Sequence, residues 1–231
     1  MTILKFALRR TLRNPWSILF SCIMPAGLLF IPAFWEGEGL IAGRGYFFLL
    51  LVIMFSAFPI TNIMLVDRKQ RTIVRIMSTP TTTLKYLSQN FVACLIPLMI
   101  QVLFICGFGL IRYNWTLDLT LSLGLLYTLF AATSITFAFA WNCLFKNAEV
   151  SFVVLTTVMM FTLFFGVFTP VADLNNFLRT MGMLFPSYWA SIGIEELLYS
   201  ELFTVDLLMP MGILALFTTI FLFYGSKRGV Y

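Results

Sequence analysis

Six runs of apolar residues, separated by short polar or Gly/Pro-bearing stretches, organise this chain. They cover residues 16–34, 46–66, 91–111, 119–141, 150–168 and 207–224, and none contains Asp, Glu, Lys, Arg or His. A helix rises about 1.5 Å per residue, so roughly 20 residues cross the hydrocarbon of a bilayer. Each run is close to that length. The pattern predicts an all-α membrane protein in which residues 1–231 form a single transmembrane domain of six helices.

Three stretches outside the runs have patterns of their own. In residues 1–15, Lys5, Arg9, Arg10 and Arg13 share one arc of a helical wheel, and Leu4, Ala7, Leu8 and Leu12 share the other. Phe6 stands at the border. This predicts an amphipathic helix lying in the membrane surface, with its basic groups toward anionic headgroups. Asn14-Pro15 then turns the chain into the first run. In residues 67–89, Ile73, Val74, Ile76 and Met77 alternate with Arg68, Lys69, Arg71 and Arg75, and Pro80 with three following threonines stops the helix. An apolar ridge on a water-facing segment needs something to cover it, so this piece is predicted to dock on a partner. Residues 169–206 are too apolar for a solvated loop, and Pro186 divides them into pieces too short to span. They are predicted to form two short helices that enter one leaflet and return, since irregular backbone at that depth must be buried in protein or line a wet cavity.

The charges then orient the frame. Twelve of the fifteen Lys and Arg residues fall in the two terminal flanks and in the stretches after the second and fourth runs. The other set of connections carries only Arg44, Arg112 and Arg179, and holds eight of the ten acidic residues. Cationic flanks stay cytoplasmic, which predicts both termini inside and makes residues 67–89 cytoplasmic. The net charge of +5 therefore reports topology and gives no reason to expect nucleic acid. With 60% apolar and 11% charged residues, the chain has too little polar surface for a soluble domain. Trp16, Trp35, Tyr46, Tyr113 and Trp115 at the run ends suit an interfacial aromatic belt. The first run is too long for a cleaved signal core and reads as a retained span. The four cysteines show no metal-ligand spacing and read as small packing residues.

Candidate chemistry is sparse. No GxxxxGK[ST] loop, HExxH or GxSxG motif occurs, and histidine is absent. Hydrolase and metalloenzyme readings therefore have no residues to rest on, and the chain is not expected to be an enzyme; the transport-subunit role is what the resemblance described below implies. Glycines 37, 39 and 43 follow no strand and do not make a phosphate loop. Ion-coupled transporters usually keep an ionisable group at mid-membrane, whereas these runs offer only Thr61, Asn62, Gln101, Thr133, Thr136 and Thr156. Those are read as helix–helix hydrogen-bonding residues. Energy for transport must then come from elsewhere, or the chain conducts passively. A passive channel or another kind of membrane transport component is thus the alternative reading.

Residues 67–80, DRKQRTIVRIMSTP, and residues 166–197, GVFTPVADLNNFLRTMGMLFPSYWASIGIEEL, together resemble the membrane permeases of type-2 ATP-binding-cassette (ABC) exporters, the drug and polysaccharide export group. Asp67, Arg68, Thr72, Thr79 and Pro80 match the family's charged run ending in Thr-Pro. Gly166, Pro170, Leu174, Pro186, Tyr188, Ala190 and Glu195 match its Gly…Pro…Leu turn and later Pro-x-x-Trp/Tyr-Ala stretch. The chain departs from the pattern at Lys69, where a second acidic residue is usual, and at Arg71, where glycine is usual. The resemblance implies that residues 1–15 are an elbow helix and that 67–89 couple to an ATPase through Asp67, Arg68, Arg71, Thr72, Arg75, Ile76, Thr79 and Pro80. It implies that 169–206 are a re-entrant outer gate carried by Gly166, Pro170, Leu174, Pro186, Tyr188, Trp189 and Glu195. It further implies two cytoplasmic ABC ATPase subunits, which bind ATP and Mg, and a second permease half, identical or related. The chain itself then needs no cofactor. A bacterial plasma membrane is the expected location, with an amphipathic cargo: a drug, an antimicrobial peptide or a lipid-like compound, exported for resistance or self-immunity.

Overall fold

The computed structural model describes residues 2–15, 19–35, 43–61, 66–67, 70, 82–145, 148–163, 165–171, 174–199 and 205–228. Among these residues the secondary structure is helical, with no strand. Helix α1 is Thr2–Arg13. Helix α2, Leu19–Phe30, opens with a π-helical turn at Leu19–Ile23 and continues as α-helix from Met24. Pro25 has no N–H for the carbonyl of Ser21, and the helix widens just before it. Then follow α3, Gly45–Thr61, α4, Thr83–Arg112, α5, Leu117–Asn142, and α6, Ala148–Leu163. Two shorter helices, α7 at Asn176–Gly182 and α8 at Pro186–Tyr199, precede α9 at Val205–Arg228.

Three of these helices are long and apolar enough to cross a membrane, through Leu84–Arg112, Leu117–Asn142 and Asp206–Lys227. The other three apolar runs hold shorter helices. The run at 150–168 loses its helix after Leu163, and the chain turns at Gly166 with φ +99°. Only glycine adopts that backbone freely, so the turn is written into the residue type. The boundaries of α4 and α5 follow from capping. Thr82 Oγ1 accepts from the Lys85 N–H at 3.3 Å, and Thr116 Oγ1 accepts from the Leu119 N–H at 3.3 Å. Each threonine satisfies one of the orphan donors of a first turn.

Helix α5 is the centre of the bundle. It packs on α4, α9, α3 and α8, and Tyr127, Phe130, Ala131, Ile135, Ala138 and Phe139 are fully buried. Thr133 Oγ1 donates within its own turn to Leu129 O at 2.8 Å and also meets α9 at Leu214 O, 3.1 Å, and Thr218 Oγ1, 2.9 Å. Of the neutral polar residues expected to join helices, Thr133 does so. Thr61 and Thr136 bond back to carbonyls of their own helices. Gln101 is buried with both amide atoms lacking a partner among the described residues. Asn62 lies outside them.

The expected aromatic belt takes a different form. Trp35, Tyr46, Tyr113 and Trp115 stack on one another where α4 turns into α5, with ring centroids 4.7 Å apart for Trp35–Tyr113 and 5.0 Å for Tyr46–Trp115. Trp115 is only 7% exposed. Asn114, at φ 50°, makes the sharp turn that folds Trp115 back over Gly109. Mutual burial of large rings contributes packing energy beyond the area each would bury alone. Trp16 lies outside the described residues. Tyr127 Oη donates to Tyr46 O at 2.9 Å beneath this cluster. Tyr127→Phe keeps the ring and loses that bond, so thermal unfolding in detergent should register a loss of about 1 kcal/mol. An unchanged melting temperature would show that the bond contributes nothing net.

Candidate functional site

Helix α1 packs along α4. Ala7 and Thr11 form its buried edge, Leu4, Leu8 and Asn14 flank them, and Lys5, Phe6, Arg9, Leu12 and Arg13 are exposed. The face packed on the protein is not the whole apolar arc of the wheel: Thr11 lies on it and Leu12 does not. Thr11 is tolerated there because its hydroxyl donates to Ala7 O at 2.9 Å. Asn14 Nδ2 donates to Pro59 O at 3.3 Å, tying the end of α1 to α3.

Arg10 departs from the expected basic arc and turns inward. Its Nη1 donates to Asp67 Oδ1 at 2.6 Å and its Nη2 to Asp67 Oδ2 at 2.8 Å. Tyr86 Oη, from the first turns of α4, donates to the same Oδ2 at 2.8 Å. Asp67 is 3% exposed, as is Tyr86. A buried carboxylate is costly unless paired and hydrogen-bonded, and here one carboxylate receives three donors. Burial pulls the Arg10 guanidinium down, but the hydrogen bond and charge of Asp67 outweigh it and hold Arg10 above the ordinary arginine value. All three groups are engaged with one another. The arrangement is a mechanical joint between α1, the start of segment 67–80 and α4. Of the residues expected to couple to an ATPase, Asp67 is in this joint. Arg68, Arg71, Thr72, Arg75, Ile76, Thr79 and Pro80 lie outside the described residues.

The second constellation gathers most of the residues expected to form the outer gate. Gly166 lies against α8: a Cβ there would stand 2.6 Å from Ser191 Cβ. Arg44 Nη1 donates to Val167 O at 2.7 Å, which attaches the turn to the start of α3. The Val171 N–H donates to Glu195 Oε1 at 2.9 Å, attaching its far side to α8. Pro170, half-buried, immediately precedes Val171. Tyr188 is fully buried against Phe165 and Val171, with Leu174, Phe185 and Trp189 packed around them. Its hydroxyl accepts from Arg179 Nε at 3.3 Å, and Gly182 leaves room for its ring. Trp189 Nε1 donates to Met183 O at 2.9 Å, joining α8 to the end of α7. Pro186 is the buried first residue of α8, a position where its missing N–H is not required.

Sequence reasoning missed Arg10, Tyr86, Arg44, Arg179 and Ser191 as parts of these two sites. A signal existed for this pairing: Asp67 is the only carboxylate in the cationic stretch 67–89, so a basic partner was to be expected for it. For Arg44 and Ser191 no local pattern was available, because their partners lie on distant turns.

No curated protein matches the chain. The family model for ABC-2 family transporter proteins matches residues 38–226. That range holds α3 to α8, nearly all of α9, Asp67, Tyr86 and the whole Gly166 turn, and it leaves out α1 with Arg10. Members of this family are membrane permeases of ABC transporters, which normally work with an ATPase subunit. A match that runs over 38–226 of the 231 residues shows that this chain belongs to the ABC-2 transporter permease family.

Proposed function

We propose that this chain is one half of an ATP-driven exporter in a bacterial plasma membrane, with six spans and both termini cytoplasmic. Two such halves, identical or related, enclose the path, and two cytoplasmic ATPase subunits bind ATP and Mg. Segment 67–80 docks on the ATPase, α1 is the elbow helix, and α7 with α8 form the re-entrant gate at the outer face. The observation that carries this reading is the Arg10–Asp67–Tyr86 joint. A docking segment transmits force only if its root is rigid, and this root is held to two helices at once. Closure of the ATPase dimer moves segment 67–80, and the joint passes that movement to α1 and α4. Exposed side chains such as Phe104, Leu121, Phe161, Met209 and Phe223 give the bundle a broad apolar surface suited to an amphipathic cargo.

Charge reversal at Arg71 and Arg75, or Ile76→Asp, should lower cargo export in reconstituted vesicles to background. The partner's ATP hydrolysis should continue without responding to cargo, and membrane insertion should be normal. Export at the full rate would remove the coupling role. Flux through the isolated chain without nucleotide would favour a channel instead. Impermeant labelling of Thr72→Cys in intact cells tests the orientation: protection is expected, and labelling from outside would invert the topology.

A further inference from the structure

Phe6, Arg9, Arg10 and Arg13 recur at helical spacing along one side of α1 and line a cleft of about 340 Å³. Arg10 is committed to Asp67 through both Nη atoms. Arg9 and Arg13 are exposed, and among the described residues neither meets a carboxylate. Beside these cations stands a large apolar group that water does not favour: Phe6 is 67% exposed. The Arg10 guanidinium lies 5.9 Å from the centre of the Phe6 ring, which shapes one wall. Arg9 and Arg13 are four residues apart, so their like charges repel unless an anion sits between them.

The cleft's chemistry has two parts, a pair of guanidiniums that meet no carboxylate among the described residues and the apolar Phe6 ring. A free phosphate satisfies only the first. The headgroup of an anionic phospholipid satisfies both, with its phosphate on the arginines and its glycerol and upper acyl carbons on Phe6. We infer that this cleft is a seat for one anionic phospholipid headgroup of the inner leaflet. The inference rests on the reading of α1 as a membrane-surface helix. Because Arg10 forms both a wall of the seat and the joint to Asp67, an occupied seat steadies α1 against α4, and transport acquires a dependence on anionic lipid.

The full-length chain in nanodiscs of phosphatidylcholine, titrated with phosphatidylglycerol and read by native mass spectrometry, tests this. A phosphatidylglycerol retained preferentially over phosphatidylcholine is expected. Arg9→Gln with Arg13→Gln should weaken that retention about thirtyfold, since each basic group near an anionic surface contributes comparably. Lys85→Gln with Lys227→Gln removes the same charge at two exposed sites elsewhere and should leave retention near that of the parent. Equal loss in both pairs, or no loss in the first, overturns the seat. Competition by millimolar inorganic phosphate would make the cleft a free-anion site and also overturn it. A nitroxide on Leu12→Cys, with the unsubstituted chain labelled in parallel as background, separates this from failure of the underlying reading. Water-like accessibility at Leu12 would place α1 off the membrane, whereas headgroup depth without lipid preference would defeat the seat alone.

Discussion

Replacing Asp67 with alanine should cost about 3 kcal/mol of stability and abolish export. The substitution removes one carboxylate but strands two partners. Arg10 keeps a half-buried charge with nothing to offset its lost hydration, and the Tyr86 hydroxyl is left buried without an acceptor. Breaking a buried pair from one side is expensive for that reason, while removing both charges together is often nearly neutral. The prediction therefore has a second arm. Arg10→Met with Asp67→Leu and Tyr86→Phe, which leaves no polar group behind, should recover most of the melting temperature in detergent. If the joint transmits force, export should stay low in this stable triple variant, because apolar contacts slide where a bidentate pair holds register. An Asp67→Ala protein as stable as the parent would show that the three groups do not act as a joint. A stable triple variant with full export would keep the joint structural and remove its part in transport.

How much of this was legible beforehand depends on the range of the interaction. Spans 91–111, 119–141 and 207–224 were read directly, since apolar composition over some twenty residues is a local property and the helices at Leu84–Arg112, Leu117–Asn142 and Asp206–Lys227 contain them. Helix α1 was legible as amphipathic, but the face it packs on α4 was not, because Thr11 sits there with its hydroxyl bonded to its own helix and so passes for apolar. Charge counting assigned Arg10 to the headgroups with Lys5, Arg9 and Arg13. It could not see that Asp67, fifty-seven positions away, accepts from it. The mutual stacking of the run-end rings was not legible for a related reason. Trp35, Tyr46, Tyr113 and Trp115 each sit at a run end, but only the tertiary fold brings the four ends together, and rings within reach of one another bury each other.

The two sites divide the mechanical problem between them. The joint at Asp67 ties α1 and α4 to a cationic segment by charge. The turn at Gly166 ties α3 and α8 together through backbone atoms, at Val167 O and the Val171 N–H. A backbone-defined turn depends on its dihedral angles more than on any side chain, so its weakest point is the residue that supplies the unusual angle.

Gly166→Ala should accordingly be among the most damaging single-atom additions in the chain, costing about 4 kcal/mol. Two independent penalties contribute. A φ of +99° is strained for any residue with a Cβ, at roughly 1–3 kcal/mol. The added methyl also stands 2.6 Å from Ser191 Cβ and 2.7 Å from Ser191 Oγ, a contact that must be relieved by moving α8 or the turn, at a further 1–3 kcal/mol or so. Ser191→Gly separates the two. It clears the space without changing the backbone angle, so Gly166→Ala with Ser191→Gly should regain about half of the lost stability and no more. Chemical unfolding of the purified variants measures the cycle. If Gly166→Ala alone is as stable as the parent, the chain does not hold the left-handed turn described here. If Ser191→Gly rescues it fully, the backbone has relaxed and the penalty was steric only. Export discriminates further. Relief of the contact by displacing the turn should stretch the Arg44–Val167 and Val171–Glu195 bonds together, so a folded Gly166→Ala protein should still lose transport, and an Arg44→Gln protein should lose it in part. Full export from a stably folded Gly166→Ala variant would mean that the position of this turn does not govern the passage of cargo.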